Sequence, residues 1–311
     1  VMPCFNAAEH VSASIGSVQS QSLGDWLLIA VDDGSSDDTA AVIQALGDPR
    51  IRLIRQANEG VSAARNRALA EVQTPYVAFL DSDDTWAPTF LQEMLGALAP
   101  QPDAVVAYCG WQDVHQAPRK CLAHDPSDYE SASDKLDVLL QGCPWVIHAA
   151  LARSAAVRAA GGFDQRFAVA EDYLLWLRMA TSGRLIKVPQ LLAFYHHDIA
   201  RPQATGNTVR VVRQTRLALQ AFLSEQPITR QRLGAQRIRE LLHRQGLRCA
   251  YDALWSRDLA SAQALFRDCV AAGFVTSKDL RYALPALLPR AVYRARVGAR
   301  DGHSSRLTGG R

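Results

Sequence analysis

Short apolar runs alternate with amphipathic stretches up to about residue 110, and this alternation limits the fold more than any other feature. The apolar runs are residues 26–31, 51–54 and 76–80, and the helical stretches that follow them are residues 39–46, 61–72 and 88–98. Strands that alternate with helices predict βαβ units and a mainly parallel sheet. We therefore predict an α/β fold for this part of the chain.

The sequence pattern changes at two points in the remainder of the chain. Residues 100–144 read as mixed strand and loop, and beyond Arg210 nearly every stretch has helical periodicity. We predict an α/β domain over residues 1–209 and a helical region over residues 210–297. The Gly, Ser and Arg content of residues 298–311 predicts a disordered tail.

Composition excludes several classes of protein. The chain is 48% hydrophobic and 21% charged, and no apolar run approaches the ~20 residues that cross a bilayer. Six cysteines without a CxxC pair argue against a disulfide framework or a zinc site, and they fit a reducing cytoplasm. A net charge of +3 is too small to indicate a nucleic-acid partner.

Two acidic motifs follow predicted strands: VDDGSSDDT at residues 31–39 and FLDSDDTW at residues 79–86. Open α/β sheets bind ligands at the carboxyl ends of their strands, so both motifs point to one cleft. In the first motif, Asp37 and Asp38 suit the start of the next helix. Asp32 and Asp33 follow the strand directly, where a carboxylate can accept from a base N–H or a ribose hydroxyl.

The second motif concentrates like charges at one strand end. Neighbouring carboxylates repel and raise the pKa of at least one of them unless a cation compensates. Asp81 and Asp83 alternate onto one side of an extended backbone, and Mg²⁺ or Mn²⁺ prefers such oxygen ligands. The alternative is a turn or helix cap that employs Asp84 or Thr85.

A third acidic pair, Glu171-Asp172, opens an amphipathic helix. Acids in a first helical turn favour the helix dipole, and this is one interpretation of the pair. In the other, one carboxylate faces the cleft as a general base that takes a proton from a hydroxyl group. The sequence leaves open which of the two faces inward.

Five motifs in order resemble those of the family 2 inverting glycosyltransferases of GT-A fold. They are PCFN (residues 3–6), VDDGSSDDT (31–39), NEGVSAARN (58–66), FLDSDDTW (79–86) and AEDY (170–173). The resemblance covers residues 1–205 and implies that residues 1–209 form a Rossmann-like catalytic domain of GT-A type. The region from residue 210 is then a helical C-terminal extension.

The resemblance also implies residue roles. The donor-binding residues would be Pro3, Asn6, Asp32, Asp33, Arg65, Asp81 and Ser82. Asp83 would contact the metal, with His197 preferred over His196 as a further contact. Asp172 would be the catalytic base, and Glu171 and Trp86 would touch the acceptor or support the site.

Together these roles imply an inverting transfer of sugar from a nucleoside-diphosphate sugar, most commonly a UDP-sugar, to a hydroxyl group. Mn²⁺ or Mg²⁺ is the implied cofactor, and a glycan or lipid-linked acceptor in surface polysaccharide synthesis is the implied destination. The arginines and apolar residues of 284–297 suggest peripheral contact with an anionic membrane at its cytoplasmic face. The rival is a solvated face.

Two other functions compete with this one. A non-catalytic protein of the same fold could bind a sugar nucleotide or glycan, although it would have no need of Asp172. A nucleotidyltransferase would normally carry a Gly-rich phosphate loop near its start, and residues 6–9 contain no glycine.

Overall fold

The structure is a computed structural model that describes residues 1–115, 121–197 and 206–304, with side chains in the last helix described as far as Val297. It divides into two compact units, Val1–Ala204 and Thr205–Arg311. From the sequence we predict this boundary after residue 209. The observed boundary comes earlier because the first helix of the second unit begins at Thr208, before the arginine-rich stretch that marks the change in composition.

The first unit begins with a parallel sheet. Its strands are β1 (Met2–Cys4), β2 (Leu28–Asp33) and β3 (Ile51–Gln56), paired in the order β1-β2-β3. The helices between and after them are α1 (Val11–Gln19), α2 (Thr39–Ala45) and α3 (Val61–Glu71). All six residues of β2 are buried, as expected for a strand covered on both faces. The predicted βαβ units are therefore present.

A second sheet continues from β1. The nitrogen of Val1 donates to the Ala78 carbonyl at 2.9 Å, and the Leu80 amide donates to the Val1 carbonyl at 3.0 Å. These bonds connect β1 to β4 (Tyr76–Ala78). The other strands are β5 (Thr85–Trp86), β6 (Ala104–His115), β7 (Ala123–His124), β8 (Ala150–Arg153) and β9 (Arg184–His197). Their helices are α4 (Phe90–Leu98), α5 (Lys135–Leu139), α6 (Ser154–Ala159) and α7 (Glu171–Ala180).

The sheet β1-β2-β3 is parallel, as predicted, and this second sheet is mixed. Its order is β4-β8-β6-β9-β5, with β7 beside β6. Only the β6–β9 pair among these strands is parallel in the described residues. The reason is that β8 lies between β4 and β6 and runs against both of them. The long pair β6–β9 ends in facing positions, His115 opposite His197.

The second unit is helical. Its helices are α8 (Thr208–Glu225), α9 (Pro227–Trp255, interrupted at Gly234), α10 (Leu259–Ala271), α11 (Leu280–Ala283) and α12 (Arg290–Ser304). Leu265, Phe266 and Tyr293 belong to its buried core. Within the predicted disordered tail, residues 298–304 continue α12, and residues 305–311 lie outside the described residues. Among the described helices, none is long and apolar enough to cross a bilayer.

Candidate active site

A buried arginine joins two of the acidic motifs. Arg65 is 2% exposed, and its Nη2 donates to Asp81 Oδ1 while its Nη1 donates to Glu171 Oε1, both at 2.6 Å. Its guanidinium carbon lies 5.2 Å from the centre of the Phe163 ring. The structure thus brings together α3, the segment after β4 and the start of α7. The guanidinium, expected to hold the donor, is held by two carboxylates of the protein.

The two acids at the start of α7, Glu171 and Asp172, have different hydrogen-bond partners. Ala170, which precedes the helix, has φ 70° and ψ 17°, a left-handed conformation that is uncommon for a residue with a Cβ. Glu171 is buried against Arg65. Asp172 instead accepts a hydrogen bond from the Tyr173 amide at 2.7 Å. Of the two acids, Glu171 is the one that accepts a hydrogen bond from the arginine.

The Asp172 carboxyl has an unusual protonation equilibrium. Burial, followed by the neighbouring Glu171 carboxylate, raises its pKa to about 7. The Arg65 guanidinium acts in the opposite direction. A carboxyl group with a pKa near neutrality is suited to general base catalysis, since a base works best when its pKa is near the working pH. Beside it, the Cys143 thiol lies 3.9 Å from Asp172 Oδ2.

The aspartates after β4 separate into two kinds. Asp83 lies at the surface of the cleft, and desolvation of its carboxyl followed by the charges of Asp84 and Asp81 raises its pKa to about 7. Asp84 is 1% exposed and accepts from the His196 amide at 2.8 Å. Its Oδ2 lies 2.9 Å from Nδ1 of the buried His148. Asp84 therefore holds the segment in place through residues distant in sequence, and not as the predicted cap of the next helix, whose first cap position is Thr89, while Asp83 remains accessible.

His148 lies in the core beside this segment. Burial acts to lower its pKa, but the carboxylate of Asp84 outweighs burial and raises it. Its carbonyl accepts from Trp86 Nε1 at 2.7 Å, and the Trp86 ring stacks on Phe90 with centroids 4.3 Å apart. Trp86 is 7% exposed, so it supports the site from inside. A direct contact with an acceptor does not fit this buried ring.

A small cavity opens beside Asp83. Its volume is about 150 Å³, and its walls include Asp83, His115 and His197. His196 is also in the wall, where its Nε2 lies 2.9 Å from Thr85 Oγ1. The two residues predicted as metal contacts, Asp83 and His197, thus share one cavity.

The two carboxylates that begin the first acidic motif are already hydrogen-bonded within the protein. Asp33 is 3% exposed and accepts from Gln56 Nε2 at 2.7 Å, the Glu59 amide at 3.0 Å and the Gly60 amide at 2.8 Å. Asp32 is also buried and accepts from the Ser35 amide at 3.0 Å. In this conformation the pair, predicted to meet the base, fixes the turn after β2 and the segment that leads into α3.

The remaining donor-side residues surround the same strand ends. Pro3 is buried in β1 opposite Val31. Asn6 has φ 49°, and its Oδ1 accepts from the Ser36 amide at 2.8 Å. Ser82 is partly buried between the two aspartates. Only Asn6 and Ser82 of this group have partly exposed side chains.

Sequence reasoning missed several contacts that shape the site. Asn66, next to Arg65, donates to the Phe163 carbonyl at 2.7 Å and accepts from the Phe163 amide at 2.9 Å, which fastens α3 to the turn before α7. His148 and Cys143 were missed because nothing in their local sequence indicates a partner 64 or 29 residues away. Asp113 and His115 are two residues apart on a strand, a spacing that places both side chains on one face, and this spacing is visible in the sequence.

Another cavity, of about 450 Å³, lies at the other end of the strands. Leu28, Tyr76 and Trp26 are among its mostly apolar lining residues. Those residues precede or begin β2 and β4, whereas the acidic motifs lie at the end of β2 and after β4. Its greater volume is therefore no reason to move the candidate site there.

Comparison with known proteins gives a family and a fold. Residues 1–130 match the family described as Glycosyl transferase family 2. The chain is 38% identical over 99 residues to the UDP-Glc:alpha-D-GlcNAc-diphosphoundecaprenol beta-1,3-glucosyltransferase WfgD of Escherichia coli. That match covers 32% of this chain and 39% of WfgD. In two further curated relatives the match spans 20% and 57% of the relative's length, so the chain corresponds to part of each.

The fold of the chain also resembles those of solved structures over most of its length. S. aureus TarS 1–349 in complex with UDP-GlcNAc has a TM-score of 0.63 at 16% identity, covering 97% of this chain and 90% of that one. The mannosyltransferase PcManGT from Pyrobaculum calidifontis, in complex with GDP-Man and Mn²⁺, has a TM-score of 0.54 at 18% identity, covering 96% and 81%. These likenesses confirm the predicted GT-A type α/β fold with a helical C-terminal extension.

Proposed function

The chain belongs to glycosyl transferase family 2 through its residues 1–130, and on that premise we propose that it transfers a sugar from a nucleoside-diphosphate sugar to a hydroxyl group. The observation that best supports this is the Arg65 bridge between Asp81 and Glu171. It links the segment Asp81-Ser82-Asp83, where the metal is proposed to bind, to helix α7, which carries the proposed base. A donor and an acceptor bound at this junction would meet between the two motifs.

Asp172 is the proposed catalytic base. Because Glu171 is engaged by Arg65, Asp172 is the acid of this pair that can accept a proton from the acceptor hydroxyl. Its pKa of about 7 allows it to be ionised near neutral pH and still basic enough to take the proton. The hydroxyl then attacks the anomeric carbon opposite the departing nucleoside diphosphate, and a single displacement inverts the configuration. Glu171 positions the base through Arg65.

Asp83 and His197 are the proposed metal contacts. They line the same cavity, and the negative charges of Asp84 and Asp81 close to Asp83 favour a cation there. Carboxylate oxygen is the ligand that Mg²⁺ and Mn²⁺ prefer, so the donor set fits the expected cofactor. A divalent ion bound there would neutralise charge on the departing diphosphate. Asp83 and His197 would hold it.

The donor and acceptor are proposed from chemistry and relatives together. Asn6 and Ser82 are partly exposed at the strand ends and serve as donor contacts, and Asp32, Asp33, Pro3 and Arg65 shape the wall behind them. We assign a UDP-sugar as donor, in line with the UDP-GlcNAc complex of TarS and the UDP-Glc named for WfgD. A glycan or lipid-linked acceptor in surface polysaccharide synthesis is the matching destination.

The second unit supplies a surface for a membrane-bound acceptor. Leu284, Leu287 and Val292 are about half exposed, at 52%, 51% and 48%, although their neighbours Ala283 and Ala286 are buried in the core. Exposed arginines accompany them: Arg281, Arg290, Arg294 and Arg296. Apolar side chains among arginines suit the headgroup region of an anionic membrane. We assign peripheral contact with such a membrane to this surface.

The first test measures nucleoside diphosphate release from a panel of sugar nucleotides with Mn²⁺, with Mg²⁺ and with EDTA. Metal-dependent release from one donor, lost in Asp83→Asn and retained in the surface control Glu93→Gln, supports the transferase. The panel is repeated with candidate hydroxyl acceptors and as thermal shifts. Stabilisation by a nucleotide with metal but no turnover under any of these conditions would favour the non-catalytic binding protein instead.

A further inference from the structure

A second group of potential metal ligands lies at the ends of β6 and β9. Asp113 and His115 are two residues apart on β6, and His197 lies opposite His115 on the parallel strand β9. Each of the three offers one ligand atom, and these atoms all lie within 4.8 Å of one another. The His115 and His197 rings are stacked with centroids 4.3 Å apart. Strand register therefore places two imidazoles and one carboxylate together.

A third strand orients the carboxylate. His124 of β7 has its Nε2 2.9 Å from Asp113 Oδ2, and the His124 ring stacks on Trp111 with centroids 4.8 Å apart. The other oxygen, Asp113 Oδ1, faces His197 Nε2 at 3.3 Å. One oxygen is thus fixed by a histidine outside the group while the other points into it. Outer partners of this kind commonly orient the ligands of metal sites.

We propose that Asp113, His115 and His197 can bind a divalent transition-metal ion of the Zn²⁺ class, at a position distinct from that of the ion assigned to Asp83. Two imidazole nitrogens and one carboxylate suit Zn²⁺ and similar ions, whereas Mg²⁺ prefers oxygen ligands alone. The site uses no cysteine, which is why the cysteine spacing did not reveal it. An ion held by β6 and β9 would join the two strands at their ends and stabilise the first unit.

The two sites lie on a common cavity. His115 and His197 line the volume of about 150 Å³ that Asp83 also lines. His197 can serve either site, but Asp113 and His115 distinguish the new one from Asp83. The inference therefore does not depend on the sugar-transfer proposal, and metal binding alone can test it.

The experiment titrates the full-length protein, freed of metal with EDTA, with ZnCl₂ alone and measures heat and melting temperature. His115→Gln keeps a side chain of similar size on the strand and is expected to weaken Zn²⁺ binding at least tenfold. His124→Gln, which removes an outer partner, should weaken it by roughly 10- to 100-fold. His10→Gln is the matched control, since His10 lines the same cavity outside the ligand group.

Asp83→Asn separates the two sites. It should leave Zn²⁺ binding and the Zn²⁺-dependent rise in melting temperature intact, and Co²⁺ in that variant should give an absorption spectrum that His115→Gln lacks. Equal Zn²⁺ affinity in the wild type and His115→Gln would overturn the proposal. Loss of Zn²⁺ binding in Asp83→Asn but not in His115→Gln would also overturn it, because the ion would then belong to Asp83. A folded wild-type protein that does not bind Zn²⁺ would likewise overturn the proposal.

Discussion

The guanidinium of Arg65 lies between Asp81 and Glu171, 2.6 Å from an oxygen of each. Its side chain is 3% exposed, so both ion pairs are shielded from water on the arginine side. This one residue connects a segment that follows a strand with the first turn of a helix 90 residues later in the chain. The relative position of Asp83 and Asp172 depends on it.

Replacement of Arg65 should destabilise the first unit strongly. Arg65→Met leaves two carboxylates near each other without a cation, and removal of one partner from a buried ion pair costs ~3–5 kcal/mol. Arg67→Met is the matched control on the same helix, because Arg67 is 47% exposed and its ion pair among the described residues is the i,i+4 pair with Glu71. Its effect should stay within ~0.5 kcal/mol. Denaturant unfolding of both variants measures the difference, and similar losses would contradict the bridging role.

Removal of the proposed base should slow turnover and spare donor binding. Asp172→Asn should lower the rate of transfer by ~10²–10⁴-fold, the usual contribution of a general base. The thermal shift produced by nucleotide and metal should persist, since Asp172 faces the acceptor side in this proposal. Asp125→Asn, which removes a carboxylate that is 78% exposed and paired with Lys187, serves as the control. Near-normal turnover by Asp172→Asn would assign the base elsewhere.

Activity should rise with pH through about 7. The proposed base works in its ionised form, and the pKa of Asp172 is raised to about 7, so the rate at saturating metal should fall as pH drops below that value. Saturating metal keeps Asp83 ionised and leaves the base to control the profile. The residual activity of Asp172→Asn should lack this dependence. A wild-type profile that is level from pH 5 to 8 would contradict the assignment.

Stability should depend on pH in the opposite sense to activity. A carboxyl group with a raised pKa binds more protons when folded than when unfolded, where its pKa is ~3.9. The stability supplied by the protonated Asp172 is therefore lost as pH rises from about 4 through about 7. The melting temperature of Asp172→Asn relative to the wild type should increase over this window. An unchanged difference across these pH values would show that the group titrates normally.

Metal-dependent nucleotide binding should require Asp83. With Mn²⁺ present, Asp83→Asn should lose most of the nucleotide-induced rise in melting temperature, because an amide is a weaker metal ligand than a carboxylate. Glu93→Gln, on the surface helix α4, should retain it. Binding without metal should be weak in both variants. Equal Mn²⁺ dependence in the two variants would remove Asp83 from the metal site.

Membrane contact should depend on the apolar and basic residues of the second unit. The double change Leu284→Ser and Leu287→Ser should reduce flotation with vesicles rich in anionic lipid, since both side chains are about half exposed. Leu217→Ser removes a similarly exposed leucine of α8 and should not affect flotation. Binding that is equal for neutral and anionic vesicles would argue against a role of the arginines.

Local sequence patterns were enough to predict β2 and β3 of the first sheet and the helices α2 and α3. The prediction for β3 began at the correct residue, Ile51, and α3 was predicted to begin at Val61, where it does begin. Both elements combine an apolar period with clear end signals, such as Gly60 before α3. The same reasoning predicts Asp83 at the ligand-binding edge of the sheet, because the carboxyl ends of neighbouring parallel strands meet at one edge.

Long-range pairing was beyond the reach of local patterns. The sequence does not reveal that β8 inserts between β4 and β6, since an apolar run carries no information about its neighbours' direction. It also gives no sign that Asp84 meets His148 or that Asp33 is satisfied by residues 56–60. Buried polar groups choose partners that tertiary packing brings close, and the partner can come from any part of the chain.

The Arg65 junction also has a consequence for the sequence in which reactants arrive. Asp81, Glu171 and Asp172 gather around a single guanidinium, and Asp83 lies near Asp81, so the ionised cleft holds an excess of negative charge before any reactant enters. A bare nucleoside diphosphate would be repelled from such a cleft. We therefore expect a kinetic order in which the cation precedes or accompanies the donor, and in which the acceptor enters only afterwards.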